Sequence, residues 1–239
     1  MTTFVLVSGS WHAAWCWERV VPLLEARGAR VIAPDLLGMG PDPTPLAEVS
    51  LAAWADQVAD IIRAQPEPVI LVGHSRGGIV ISEVAERVPD HIARLVYLAA
   101  PVIGHGARLD DVMGPVRSDR PSFLEKGPDN SSTVPAKLVG PVFYNTTAPE
   151  WVARALGQLS PEPMDVFATP LRLTDERFGR VRRAYLECAQ DKAMNVKAQR
   201  AFQARMPCDP VITLDTDHSP FYSAPDALSD ALMQVAGAP

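Results

Sequence analysis

Short apolar runs rich in β-branched residues alternate along the chain with longer stretches in which apolar residues recur every three or four positions. The first pattern predicts strands buried on both faces, the second amphipathic helices. Strands are predicted at 4–8 (FVLVS), 29–33 (ARVIA), 67–73, 94–99 (RLVYLA), 183–189 (RAYLECA) and 210–214 (PVITL), and helices over 15–27, 51–64, 76–88, 193–205 and 224–236. The last helix shows both of its ends: Ser223 as N-cap, Pro225 in the first turn, Leu228, Leu232 and Val235 along one face, and Gly237 at the stop. Units alternating in this way build an α/β fold, a mostly parallel sheet of about six strands flanked by helices.

One interval breaks the alternation. Between the strands ending at 99 and starting at 183 the chain is rich in proline and shows no clear strand. "LDDVMGPVRSDRPSFLEKGPDNSSTVPAKLVGPVFYN" reads as loop with short helical pieces, and "APEWVARALGQLSPEPMDVF" as one or two helices. An interval this long does not run as bare loop inside a compact domain. It reads as a helical lid at 104–181, inserted before the fifth strand into a core made of 1–103 and 182–239.

The stretch "ILVGHSRGGIVIS" (70–82) sets one hydroxyl among glycines where a strand gives way to a helix. Gly73-His74-Ser75-Arg76-Gly77 matches G-x-S-x-G, the elbow that presents a nucleophilic serine at the rim of a parallel sheet. The glycines fit because the turn is sharp and neighbouring Cβ atoms would meet the adjoining strand or helix. Gly78 extends the small surface. The plainer alternative is a glycine-rich turn around a buried serine.

A serine hydroxyl needs a base, and the base a carboxylate that orients it. Among five histidines, His218 in "LDTDHSPFYSAPDAL" follows the last predicted strand, at the same end of the sheet as Ser75. His12, near the end of the first strand, is its rival. His74 supports the turn, while His91 and His105 lie on surface or loop. Asp191 in "ECAQDKAM" follows the strand at 183–189 and is the preferred carboxylate. Asp217 adjoins His218 but would point away, Asp215 requires a tight turn, and Asp35 reads as a cap on the turn after the strand at 29–33. The order Ser75, Asp191, His218 brings three loops to one rim, where parallel-sheet sites form. A charged intermediate needs donors: the N–H of Arg76 and that of Ser10 in "VSGSWHAAW", with Gly9 permitting close approach.

Composition narrows the partners. A net charge of −6 argues against nucleic acid or an anionic membrane as main partner. The only basic cluster, Arg177, Arg180, Arg182 and Arg183, reads as a solvated helix end or loop. Three cysteines without metal-ligand spacing imply neither a disulfide framework nor a zinc site. The N-terminus lacks a signal-peptide pattern and no apolar run approaches a membrane span, so a cytoplasmic setting is expected.

Four segments carry a resemblance over nearly the whole chain: "FVLVSGSWHAAWCWERVVPLLEARGARVIAPDLLGMG", "ILVGHSRGG", "YLECAQDKAMNVKAQRAFQ" and "DTDHSPFYSAPDAL". In them the chain resembles the plant methyl-esterase and hydroxynitrile-lyase branch of the α/β-hydrolases, and most of all its bacterial carboxylesterases of the pyrethroid-hydrolase type. The resemblance implies a six-stranded core, a helical lid, Ser75, Asp191 and His218 as a triad, and a homodimer. Two departures stand out. Many relatives carry His-Gly where this chain has Ser8-Gly9, which bears on the second oxyanion donor. Cyanohydrin-cleaving relatives use a threonine and a lysine where this chain has Gly9 and Ser219, which counts against lyase activity.

The expected activity is hydrolysis of a small to medium hydrophobic, including aromatic, carboxylic ester through an acyl-enzyme, with no metal or organic cofactor. Gly9, Trp11, His12, Trp15, Phe143, Tyr144, Trp151, Met164 and Phe167 are candidate pocket residues. The Arg76 side chain is expected in a solvent-facing salt bridge. Three rivals stay open: a carbon–carbon lyase, a cofactor-free oxygenase using His218 and Asp191 as acid and base, and a non-catalytic protein that binds a small ligand.

Overall fold

The computed structural model describes residues 1–111 and 124–238; part of the predicted loop, 112–123, lies outside them. The chain opens with β1 (Thr3–Val7), β2 (Arg30–Ile32), β3 (Val69–His74) and β4 (Ile92–Leu98). The long interval contributes β5 (Glu125–Lys126), β6 (Ser131–Thr133) and β7 (Glu162–Pro163), and the chain closes with β8 (Arg183–Cys188) and β9 (Val211–Leu214). Six strands form one parallel sheet in the order β2-β1-β3-β4-β8-β9.

Period-two alternation divides the buried side chains between the two faces. Val5, Val7 and Leu71 join one core layer, and Phe4, Leu6, Ile70 and Val72 the other. Helices Leu51–Arg63 and Gly77–Arg87 cover the first face, while Pro225–Gly237 covers the second. Helix Leu51–Arg63 shows why such helices form: Leu51, Trp54, Ala55, Val58, Ala59 and Ile62 make one buried stripe. Its N-cap Ser50 accepts the Ala53 amide at 3.1 Å.

Three expectations change. The helix predicted over 15–27 is a 3₁₀ turn (Ala14–Trp17) followed by a short helix (Val21–Glu25). Ser223 does not cap the last helix; its hydroxyl donates to Asp217 Oδ1 at 2.9 Å, and Pro225 opens the helix after Ala224. The interval read as strandless holds the antiparallel sheet β5-β6-β7 beside helices Ala136–Phe143, Pro149–Leu156 and Asp165–Ala168. Strands of two or three residues built from Ser, Thr, Glu, Lys and Pro have no room for a periodic signature. Among the described residues no helix is long and apolar enough to cross a membrane, and the three cysteines are unpaired.

From β1 the chain turns to β2 on one side, and every later core strand adds on the other. Strand order therefore reverses between β1 and β3. In open parallel sheets ligands bind in the crevice at the C-terminal ends of such a pair. Gly9 and Ser10 follow β1, and Ser75 follows β3.

Candidate active site

Ser75 leaves β3 with φ +50°, in the left-handed region that non-glycine residues rarely adopt. Its amide donates to Leu98 O at 3.1 Å. Close packing enforces the turn. A Cβ on Gly77 would lie 2.9 Å from Val7 O, and one on Gly9 would lie 2.7 Å from His74 Nδ1 and 2.8 Å from Ser75 Cβ. Gly9 is thus needed where the loop after β1 presses on the elbow. Trp11 in that loop also has positive φ, 61°, so strain collects at this rim.

His218 and Asp191 meet there. His218 Nδ1 donates to Asp191 Oδ2 at 2.6 Å, which leaves Nε2 as the ring's proton acceptor. Asp191 Oδ1 accepts the amides of Ala193 and Met194, both at 2.7 Å, so the carboxylate is fixed by its own turn. Gln199, which sequence reasoning missed, braces the same loop: it pairs with the backbone of Cys188 in both directions and lies 3.4 Å from Asp191 Oδ2. His74 ties this pair to the elbow, its Nε2 donating to His218 O at 2.8 Å. Ser75 Oγ has no hydrogen-bond partner among the described residues; catalytic contacts commonly close only around substrate. Among the same residues the amides of Ser10 and Arg76 have no acceptor either.

The other candidates separate on geometry. Asp217 is spent on Thr146, Thr147, Ser219 and Ser223. Asp215 accepts from exposed Gln190, and Asp35 accepts the Ala14 amide at 2.7 Å. His12 has both ring nitrogens engaged, Nδ1 donating to Ser10 O at 2.6 Å and Nε2 accepting from the Tyr144 hydroxyl at 2.5 Å. His91 and His105 are exposed.

Burial lowers His12 from 6.5 to about 4 and holds His74 well below its ordinary value. The unfolded chain takes up protons at both positions below its ordinary histidine range, while the folded chain does not. Stability is therefore complete above about pH 6.5 and falls as pH drops toward 4, by up to about 1.4 kcal/mol per pH unit for each ring. Urea unfolding at about pH 7 and about pH 5 checks this; equal stabilities would contradict a pair of neutral buried rings.

Among the predicted pocket residues, Trp11 and Phe143 pack edge to face at 5.6 Å, and Phe143 reaches the His218 ring at the same separation. Trp15 stacks on His12 at 5.1 Å. Trp151 sits against Tyr222, with the Arg19 guanidinium over its ring. Phe167 is buried in the core layer of helices Leu51–Arg63 and Gly77–Arg87. A cavity of about 150 Å³ adjoins Trp11, lined also by Val134, Val139, Leu156 and Leu159.

The Arg76 expectation is overturned. Its side chain is buried rather than solvent-facing, with Nε 3.2 Å from Glu162 Oε2 and Nη2 donating to Gly9 O at 2.9 Å. The guanidinium also lies 4.2 Å from the centre of the Trp54 ring. Glu162 comes from β7, 86 positions away, and no local pattern signals that pairing. In the basic cluster, Arg177 and Arg180 bond to the Glu86 carbonyl and to Asp90, and Arg183 is half-buried against the Phe178 ring.

Comparison with known proteins agrees with this architecture. Residues 4–231 match the family described as alpha/beta hydrolase. Methylesterase 1 of Arabidopsis thaliana is 32% identical over 262 residues, covering 98% of this chain and 95% of the relative. The pyrethroid hydrolase of Sphingobium wenxiniae is 32% identical over 250 residues, covering 100% and 89%. The crystal structure of polyneuridine aldehyde esterase superposes with a TM-score of 0.90 at 25% identity, over 99% of both chains. The chain belongs to the alpha/beta hydrolase family.

Proposed function

We propose that the protein is a serine esterase that hydrolyses small to medium hydrophobic carboxylic esters through an acyl-enzyme. The observation that carries this reading is the 2.6 Å bond between Asp191 and His218, tied to the elbow by His74, the residue next to Ser75. His218 Nε2 takes the Ser75 proton as Oγ bonds to the ester carbonyl carbon. The carbonyl oxygen becomes an oxyanion facing the amides of Ser10 and Arg76, each such donor being worth about 3 kcal/mol. Collapse breaks the bond to the alkoxide, which leaves with the proton held by His218. Water then repeats the cycle, releasing the acid and restoring Ser75.

Relatives named methylesterase and pyrethroid hydrolase support an ester as substrate. Trp11 and Phe143, packed edge to face with Phe143 against the His218 ring, support a hydrophobic acyl or alcohol group over a sugar or phosphate. The segment between β4 and β8 acts as the lid in this reading. It is knitted over the rim by Trp11 Nε1 to Ser132 O and by Ser160 N to Trp11 O, both at 3.1 Å. Three unpaired cysteines favour a reducing, cytoplasmic setting.

Incubation with a p-nitrophenyl phosphonate, followed by peptide mass spectrometry, is expected to place one adduct on Ser75. A parallel panel of p-nitrophenyl esters is expected to show turnover that falls as the adduct forms. An adduct on any other residue, or turnover that survives full labelling, would sink the assignment.

A further inference from the structure

We propose that the Arg76 side chain, anchored by Glu162, is a positioning residue that aims the Ser10 amide at the oxyanion. The inference rests on the esterase reading and adds a role for a side chain that the elbow motif leaves unspecified.

The geometry begins with the peptide between Gly9 and Ser10. Its carbonyl and its N–H point in opposite directions because the unit is planar and trans. Arg76 Nη2 grips the Gly9 oxygen at 2.9 Å, and this fixes where the Ser10 N–H points. Glycine at 9 brings no side chain to hold that peptide, and a Cβ there has no room. One residue thus serves both donors, supplying the first through its own backbone and orienting the second through its guanidinium.

The guanidinium is itself fixed on two sides. Glu162 Oε2 meets Nε at 3.2 Å, and the Trp54 ring stacks at 4.2 Å. Both members of the ion pair are almost fully buried. The Glu162 carboxylate also takes hydrogen bonds from the Ser10 side chain and the Trp11 backbone, so the acid holds the same short loop.

The pair is poorly arranged as a simple stabiliser. Among the described residues Arg76 Nη1 is buried with no hydrogen-bond partner, and a buried pair offsets its desolvation only when the remaining polar atoms are bonded. The shorter of the two bonds the guanidinium makes is the one to the Gly9 carbonyl, at 2.9 Å against 3.2 Å to Glu162 Oε2. That distribution suits orientation of the loop.

Stability and catalysis should therefore separate. Arg76→Met keeps the backbone donor, lowers Tm and lowers kcat on p-nitrophenyl butyrate by about 100-fold, with KM within about threefold. The double variant Arg76→Met/Glu162→Met removes the stranded carboxylate, so its Tm returns toward wild type while kcat stays about 100-fold down. Arg76→Lys keeps a cation beside Glu162 but loses the fork that spans both acceptors; it guards against misfolding of the double variant, and about a tenfold loss of kcat is expected. Recovery of kcat in step with Tm in the double variant, or a wild-type rate in Arg76→Lys, would overturn the inference alone. Absence of a Ser75 phosphonate adduct in the wild type would overturn the esterase reading, and this inference with it.

Discussion

Ser75→Ala protein is expected to fold with an unchanged Tm and to lose about 10⁶-fold in kcat on p-nitrophenyl esters. The two halves of that result have separate causes. Among the described residues Ser75 Oγ makes no hydrogen bond, and the residue is only partly buried, so its removal strands no polar partner there. Alanine tolerates the φ of +50° no better and no worse than serine, so the elbow keeps its strain. Loss of the oxygen removes the acyl-enzyme route altogether. The amides of Ser10 and Arg76 stay in place and should leave a rate roughly 10³-fold above water. Thermal unfolding and steady-state kinetics on one preparation check both halves. A variant within about tenfold of wild type would show that another group attacks.

Asp191→Asn is expected to cost about 10⁴-fold in kcat, more than the loss of one charge suggests, because the amide settles in one orientation. Asp191 Oδ1 accepts the amides of Ala193 and Met194 at 2.7 Å each, so an asparagine must place its carbonyl oxygen there. Its NH₂ group then faces His218 Nδ1, where the carboxylate oxygen accepts now. The ring has to turn over its tautomer, accepting at Nδ1 and carrying the proton on Nε2. A ring protonated on Nε2 cannot take the Ser75 proton. Gln199 Nε2, now 3.4 Å from Asp191 Oδ2, would also meet another donor. KM should change little, and the NMR signal of the His218 Nδ1 proton should vanish. Retention of that signal with kcat near wild type would contradict the assignment.

Much of this architecture is legible along the chain. The four inner strands β1, β3, β4 and β8 and the helix Leu51–Arg63 announce themselves because sheet burial on both faces demands apolar runs and a one-sided helix demands spaced ones. The elbow is legible for the same local reason: a sharp turn between strand and helix admits only small neighbours around Ser75. The short strands β5 to β7 are not legible, since two or three residues carry no period. Ser223 misleads because its hydroxyl serves a distant carboxylate in place of the helix that follows.

By itself, then, the sequence determined the parallel α/β core, the position of Ser75 at a strand end, and the short set of histidines and aspartates able to reach that rim. Only the tertiary structure decided among them. It engages Asp217 with Thr146 and Thr147, closes both nitrogens of His12, and sets Asp191 against His218. It also buried Arg76 on Glu162 and Gly9, a contact between segments far apart in the chain. The physical reason is range: periodicity and turn sterics act over a few residues, whereas an isolated charge takes its partner from whatever folding brings beside it.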